Sequence, residues 1–159
     1  MFYDENYYPS NIAYIAPSIT PYHGLNPSYR IYTVSTNGYV LDHSTYVTDL
    51  NEANKRPDLD PHYHLLYSAR SAYNMPDLLP LSWHNIVNRL QDNRTFFQQF
   101  YTHYNSGSDG MPCDPSCRRR LICRLVSAQS HETKKLCQHL KLSHLSDQEN
   151  GESFWSWFG

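Results

Sequence analysis

Tyr29-Arg-Ile-Tyr-Thr-Val34, Ser35-Thr-Asn-Gly38 and Tyr39-Val-Leu41 run on from one another, and their reading decides how the chain begins. The first run is β-branched and aromatic, as strands are, and the second is a turn in which Asn37-Gly38 supplies the positive-φ pair favoured in tight hairpins. The third run and Thr45 to Val47 continue the extended pattern. Upstream, Asn11 to Pro17 is another short apolar run bounded by Ser and Pro, and it also reads as a strand. Up to Asp49 the chain is expected to be strand and loop.

From Pro57 the periodicity changes. Asp58, Asp60 and Pro61 punctuate the chain before Leu65, Leu66, Ala69, Ala72 and Tyr73, which are spaced for one helical face. Ser82 is placed to cap a second helix, whose Trp83, Ile86, Val87 and Leu90 fall at i, i+3, i+4 and i+7. Asp92 is placed to cap a third, with Phe96, Phe97, Phe100, Tyr101 and Tyr104 as a thick aromatic face. After a Gly/Ser loop from Asn105 to Gly110, Asp114 and Pro115 make an N-cap and first-turn pair for a fourth helix bearing Leu121, Ile122, Leu125 and Val126. A short fifth helix is expected around Lys134 to Leu140. The polar tail from Ser146, with its terminal Phe154-Trp-Ser-Trp-Phe158, is expected to be disordered. Strands followed by helices make the class α+β.

A formal net charge of -2 argues against a nucleic-acid partner, which calls for a basic domain. The charge is uneven: Arg118, Arg119, Arg120, Arg124, Lys134, Lys135 and Lys141 make the region after Cys113 basic, whereas Asp42, Asp49, Glu52, Asp58 and Asp60 make the middle acidic. The basic run reads as a solvated helix face, or more sharply as a contact for an anionic membrane surface. No run approaches the roughly 20 apolar residues of a membrane span, and no segment resembles a signal peptide. Fourteen tyrosines suit half-exposed faces and clefts.

The four cysteines, Cys113, Cys117, Cys123 and Cys137, cluster in the last third of the chain. An even, clustered set reads as a disulfide framework formed in an oxidising compartment. Four thiolates would also suffice for zinc, but the last two ligands are separated by a helix rather than a short knuckle. Spacing alone permits three disulfide pairings, of which Cys113 with Cys117 and Cys123 with Cys137 would staple a helix start and tie two helices together. His62-Tyr-His64 is weak evidence for a metal site, because no third ligand motif accompanies it. Asn93-Arg-Thr95 is an N-glycosylation sequon, and the loop Thr20 to Arg30 is dense in turn residues and aromatics, as binding loops are.

Several segments together resemble the acid sphingomyelinase family of calcineurin-like metallophosphoesterases: Ile15-Ala-Pro-Ser-Ile-Thr-Pro-Tyr-His-Gly-Leu-Asn-Pro-Ser-Tyr-Arg-Ile-Tyr32, Val40-Leu-Asp-His-Ser-Thr-Tyr46, Leu50-Asn-Glu-Ala-Asn54 and Leu79-Pro-Leu-Ser-Trp-His-Asn85. The cysteine series follows in the family's order, and the likeness runs from about Tyr3 to Leu140. It implies a C-terminal fragment: residues 1–53 as the last strands of a metallophosphoesterase sandwich, 54–145 as a disulfide-bonded helical domain, and 146–159 as the tail. Trp83-His84-Asn85 and Tyr22 are more similar to the sphingomyelinases than to their relatives that act on other phosphodiesters.

What the resemblance implies about chemistry is a parent that hydrolyses sphingomyelin with a binuclear zinc site, in a lysosomal or extracellular setting. The family's metal-binding segments lie upstream of the part that matches, the last being a Gly-His-x-His motif, so this chain is expected to bind no zinc and to hold no catalytic residue. Tyr22 matches a family position that contacts the phosphocholine end of the substrate. The cysteines match a set paired Cys113 with Cys117 and Cys123 with Cys137. The implied partners are the upstream catalytic domain, sphingomyelin and a lipid membrane surface. The sequence departs from the family at Asn51-Glu-Ala53, where a sequon is frequent, and has Asn93 instead. From another class, the rival reading is an independent secreted helical module that holds lipid or a partner protein through its aromatic face.

Overall fold

The computed structural model describes residues 1–108 and 112–140. Phe2–Tyr3 (β1) pairs antiparallel with Pro9–Asn11 (β2), and Ser28–Val34 (β3), Val40–Val47 (β4) and His64–Ser68 (β5) form a second antiparallel sheet in the order β3-β4-β5. Side chains alternate between the faces of a strand. On one face of the second sheet Tyr32 lies opposite His43 and Arg30 opposite Thr45, with His43, Thr45 and Val47 buried. On the other, Tyr29 stacks on Tyr46 with ring centroids 5.2 Å apart, while Ile31 and Leu65 stay exposed.

The β3–β4 turn differs from the expected one in its chemistry. Gly38 alone has positive φ, at +82°, and Asn37 does not. The Gly38 N–H donates to the Ser35 carbonyl at 3.0 Å, the Ser35 N–H to the Tyr39 carbonyl at 2.8 Å, and the ladder shifts register between Thr33 and Val34. This is the longer hairpin connection, a reversal followed by a left-handed glycine, rather than a two-residue turn.

Two further expectations are corrected. Asn11 to Pro17 is not a strand: only Pro9–Asn11 pairs, and Ile12 to Pro17 runs outside both sheets with Ile15 84% exposed. An apolar run becomes a strand only where a partner's backbone groups meet its own, and Pro17 has no N–H to give. Leu65, Leu66, Ala69, Ala72 and Tyr73 do not share one helix. His64–Ser68 is β5, paired with β4 across a register shift between Thr45 and Tyr46, and only Ala69–Tyr73 (α2, after α1 at Leu50–Asn54) is helical. Asp42 on β4 drives this break: its carboxylate accepts from the Ser68 hydroxyl at 2.6 Å and the Arg70 N–H at 3.1 Å, capping α2 from a neighbouring strand.

The remaining helices are Pro80–Asp92 (α3), Arg94–Tyr104 (α4), Pro115–Val126 (α5) and Thr133–His139 (α6). Ile86, Val87 and Leu90 bury the expected stripe of α3, with Trp83 half-buried at its start. Its cap is not Ser82: Leu79 occupies the N-cap position, Pro80 the first turn, and the Ser82 hydroxyl donates to Asp77 at 2.6 Å. Asn93 rather than Asp92 caps α4, accepting from the Phe96 N–H at 2.9 Å. Phe96 and Phe97 are buried, whereas Tyr104 is exposed. Asp114 caps α5 as read, accepting from the Cys117 N–H at 2.7 Å. These faces meet around Tyr73, Leu90, Phe97, Ile122, Cys123 and Val126. The tail from Ser146 lies outside the described residues.

A Cβ at Gly38 would meet nothing within 4 Å, so backbone strain is the whole cost of adding one. Gly38→Ala is therefore expected to lower unfolding free energy by about 1–2 kcal/mol, and Gly38→Asn by clearly less, because Asn tolerates the left-handed region. Urea melts showing equal losses for the two would contradict this account.

Candidate functional site: the Tyr22 loop and the aromatic wall behind it

Tyr22 opens a tight reversal. Its carbonyl accepts from the Leu25 N–H at 3.0 Å, and the two central residues, His23 and Gly24, have φ of +51° and +75°. Histidine is among the few non-glycine residues that enter this region at modest cost. The Tyr22 ring stands against the His23 imidazole edge-to-face at 4.0 Å and is 69% exposed. Two bonds fasten the loop's base to the sheet: Ser28 N–H to Ser18 carbonyl at 3.0 Å, and an Arg30 Nη donor to Ile15 carbonyl at 3.2 Å.

Behind the loop stands a wall of rings that sequence reading did not assemble. Arg30 also donates to the Thr45 hydroxyl and the Tyr67 hydroxyl, each at 3.0 Å. His43, 1% exposed, lies parallel to Trp83 at 6.2 Å and edge-on to Tyr14, Tyr32 and Tyr67. Trp83 Nε1 donates to the Tyr14 hydroxyl, which donates on to the Leu78 carbonyl. Tyr67 stacks on His103 at 4.2 Å, and His103 Nδ1 bonds the Tyr73 hydroxyl at 3.0 Å. One signal was available in the sequence: between Glu5 and Asp42 the only Asp, Glu, Lys or Arg is Arg30.

Burial sets the titration of this wall. It pushes His43 down to about 4, with the nearby Arg30 charge acting the same way and Asp42 partly opposing. Among the described residues His43 Nδ1 is buried without a hydrogen-bond partner, as a neutral imidazole tolerates and an imidazolium does not. Burial lowers His103 as well, and raises the Tyr73 hydroxyl well above its ordinary range. Burial raises Asp42, but the Ser68 hydroxyl and the N–H groups of Arg70 and His43 outweigh it, so its carboxylate stays ionised to lower pH.

The four cysteines form Cys113–Cys117, at the start of α5, and Cys123–Cys137, joining α5 to α6. That settles the pairing and leaves no thiolate for zinc. His62 and His64 line a cleft of ≈ 410 Å³ with Asp49, Glu52, Arg56 and Asp60. Among the described residues no three His, Cys, Asp or Glu side chains converge where a metal could sit. Within the basic run of α5, Arg118 Nη2 reaches the Leu90 and Gln91 carbonyls at the end of α3, at 2.6 and 2.8 Å, and Arg120 donates to Ser116 one turn earlier in its own helix. Arg118, Arg119 and Arg120 are half-buried, and Arg124 is exposed. Asn93 and Thr95 are both exposed, with Asn93 Oδ1 engaged as the cap.

These features define a class: an α+β region in which a small antiparallel sheet backs onto helices joined by two disulfides, with an exposed tyrosine loop at its rim. A family model for the acid sphingomyelin phosphodiesterase C-terminal region matches residues 8–142. The chain belongs to that family. It is 42% identical to a sphingomyelin phosphodiesterase of Bos taurus and 41% identical to one of Homo sapiens, in each case over 88% of this chain and 23% of the relative. Against a cyclic GMP-AMP phosphodiesterase of Rattus norvegicus identity is 29%, over 78% of this chain and 29% of the relative. The chain thus spans about a quarter of the length of the curated relatives it matches.

The titration of His43 has a definite sign. Unfolded, an imidazole takes its proton near 6.5, whereas folded His43 resists until about 4. Stability is therefore full above about pH 6.5 and falls as pH drops towards 4, by at most ~1.4 kcal/mol per pH unit from this residue. His103 acts in the same direction. Urea unfolding between pH 7 and 4.5 is expected to show this loss, and His43→Leu to flatten the slope. An unchanged slope in the variant would remove His43 from the account.

Proposed function

We propose that the chain is the C-terminal part of a sphingomyelin phosphodiesterase, which hydrolyses sphingomyelin to ceramide and phosphocholine with a binuclear zinc site. In this reading residues 1–53 end the metallophosphoesterase sandwich, 54–145 give the sheet its third strand, β5, before continuing as helices, and the rest of the enzyme is the chain's partner. The observation that carries it is the 42% identity to a sphingomyelin phosphodiesterase against 29% to a phosphodiesterase named for cyclic GMP-AMP. Among the described residues no three His, Cys, Asp or Glu side chains converge, and this reading assigns them no catalytic step. Their role is to bind and orient. Tyr22 presents an exposed ring beside a tight turn, which suits a cation–π contact with choline, and a hydroxyl able to donate to phosphate.

With the upstream region restored, Tyr22→Ala is expected to lower kcat/KM for sphingomyelin by tenfold or more, about 1.4 kcal/mol of transition-state binding. Tyr22→Phe keeps the ring and should separate the choline contact from the phosphate one. The 159-residue chain by itself should neither take up zinc stoichiometrically in a calorimetric titration nor turn over sphingomyelin. Wild-type kinetics in Tyr22→Ala would reduce that residue to a packing role, and chelator-sensitive turnover by the chain alone would overturn the assignment.

The setting proposed is lysosomal or extracellular, where disulfides persist and where Asn93 can carry a glycan. The Asn93 side chain is exposed and caps α4 through its oxygen, not through the amide nitrogen that a sugar would take. Expression in a secretory host should give a glycosidase-sensitive mass that Thr95→Ala removes. An identical mass for wild type and variant would exclude the glycan.

A further inference from the structure

Ser106 stands where a helix ordinarily ends on glycine. At the close of α4 the Gly107 N–H donates to the Thr102 carbonyl at 2.9 Å and the Ser106 N–H to the His103 carbonyl at 3.2 Å, a paired helix stop in which Ser106 takes the left-handed position with φ of +53°. A residue with a Cβ enters that region at a cost glycine avoids. Ser106 is 5% exposed, and its hydroxyl lies 2.8 Å from that of the fully buried Ser28 at the head of β3. Its carbonyl accepts from Asn26 Nδ2 at 3.3 Å. Strain kept at a buried polar contact points to whatever that contact holds in place.

What it holds is the stem of the Tyr22 loop. Past the turn that Tyr22 opens, Pro27 and Ser28 are fixed by backbone bonds, from the Thr48 N–H to the Pro27 carbonyl at 3.1 Å and from the Ser28 N–H to the Ser18 carbonyl. Asn26, one residue after the turn closes at Leu25, is held through its side chain. Its Oδ1 accepts from the Leu50 N–H at 3.2 Å, one of the donors that a helix start leaves without an intrahelical partner, while its Nδ2 reaches Ser106. One amide thus ties the turn to the start of α1 and the end of α4. We propose that Asn26, braced by Ser106, is the positioning residue that fixes how the loop presents Tyr22. The inference rests on the proposed role of Tyr22 in substrate binding and adds how the helices set the place of that ring.

Two measurements test it. In hydrogen exchange on the 159-residue chain, Asn26→Ala is expected to speed exchange of the Leu25 amide roughly tenfold, while the Val87 and Leu90 amides of α3 keep their protection. Ser106→Gly should act in the same direction but less, with melting close to wild type, because relief of the left-handed strain offsets the lost hydroxyl bond. With the upstream region restored, Asn26→Ala should raise KM for sphingomyelin roughly fivefold with kcat little changed, since a loop no longer held must be ordered on binding. Combined with Tyr22→Ala it should add nothing further, because it acts through that ring. Wild-type exchange at Leu25, an unchanged KM in Asn26→Ala, or a loss that adds in full to that of Tyr22→Ala would each overturn the positioning role and leave Tyr22 as proposed. Protection lost evenly across α3 would do the same, reducing Asn26 and Ser106 to general stability. Wild-type kinetics in Tyr22→Ala, by contrast, would remove the binding role itself and the positioning role with it.

Discussion

One guanidinium organises the sheet side of this structure. Arg30 sits half-buried on β3 with its donors on the Thr45 hydroxyl, the Tyr67 hydroxyl and the Ile15 carbonyl. A charge withdrawn from water is tolerated only if oxygens replace its hydration, and each of these three comes from a different segment. Satisfying Arg30 therefore fixes β4, β5 and the loop before β3 relative to one another. Removing it would leave the neighbouring oxygens short of donors and the loop without its tie at Ile15.

The same charge shapes the chemistry of its neighbours. It acts with burial to keep His43 neutral, and a neutral His43 can lie face to face with Trp83 of α3 without a partner for Nδ1. Through Trp83, Tyr14 and the Tyr67–His103–Tyr73 contacts, the sheet is joined to the helices by rings rather than by salt bridges. On the far side the helices are held by other means. Cys123–Cys137 ties α5 to α6, and Arg118 reaches back to the carbonyls that end α3. The loop that carries Tyr22 is thus bonded at its base to this sheet, with the Tyr22 ring exposed.

Residues with only local work to do were the legible ones. The α3 stripe of Ile86, Val87 and Leu90 and the Asp114-Pro115 start of α5 follow from helical periodicity and from an N-cap bond spanning three residues. Tyr22 was singled out by the family segments alone; its ring is exposed on a turn, which leaves its role in binding a proposal. Less legible was Leu65 to Tyr73, whose spacing suits a helix as well as the strand and short helix it forms. A short apolar run is ambiguous until a partner is known, and the partner here is β4, with Asp42 supplying the cap from outside the segment.

The sequence by itself determined the α+β class, the hairpin around Gly38, four of the helices and the family, because turn chemistry, helical periodicity and motif order are properties of neighbours along the chain. Only the tertiary structure decided that Ile12 to Pro17 stays outside the sheets and that His64–Ser68 enters one. It also decided that Arg30 and His43 stand at the centre of an aromatic wall. Each of these depends on which backbone or side-chain group arrives from a distant segment to complete a ladder, a cap or a solvation shell, and no local pattern records that arrival.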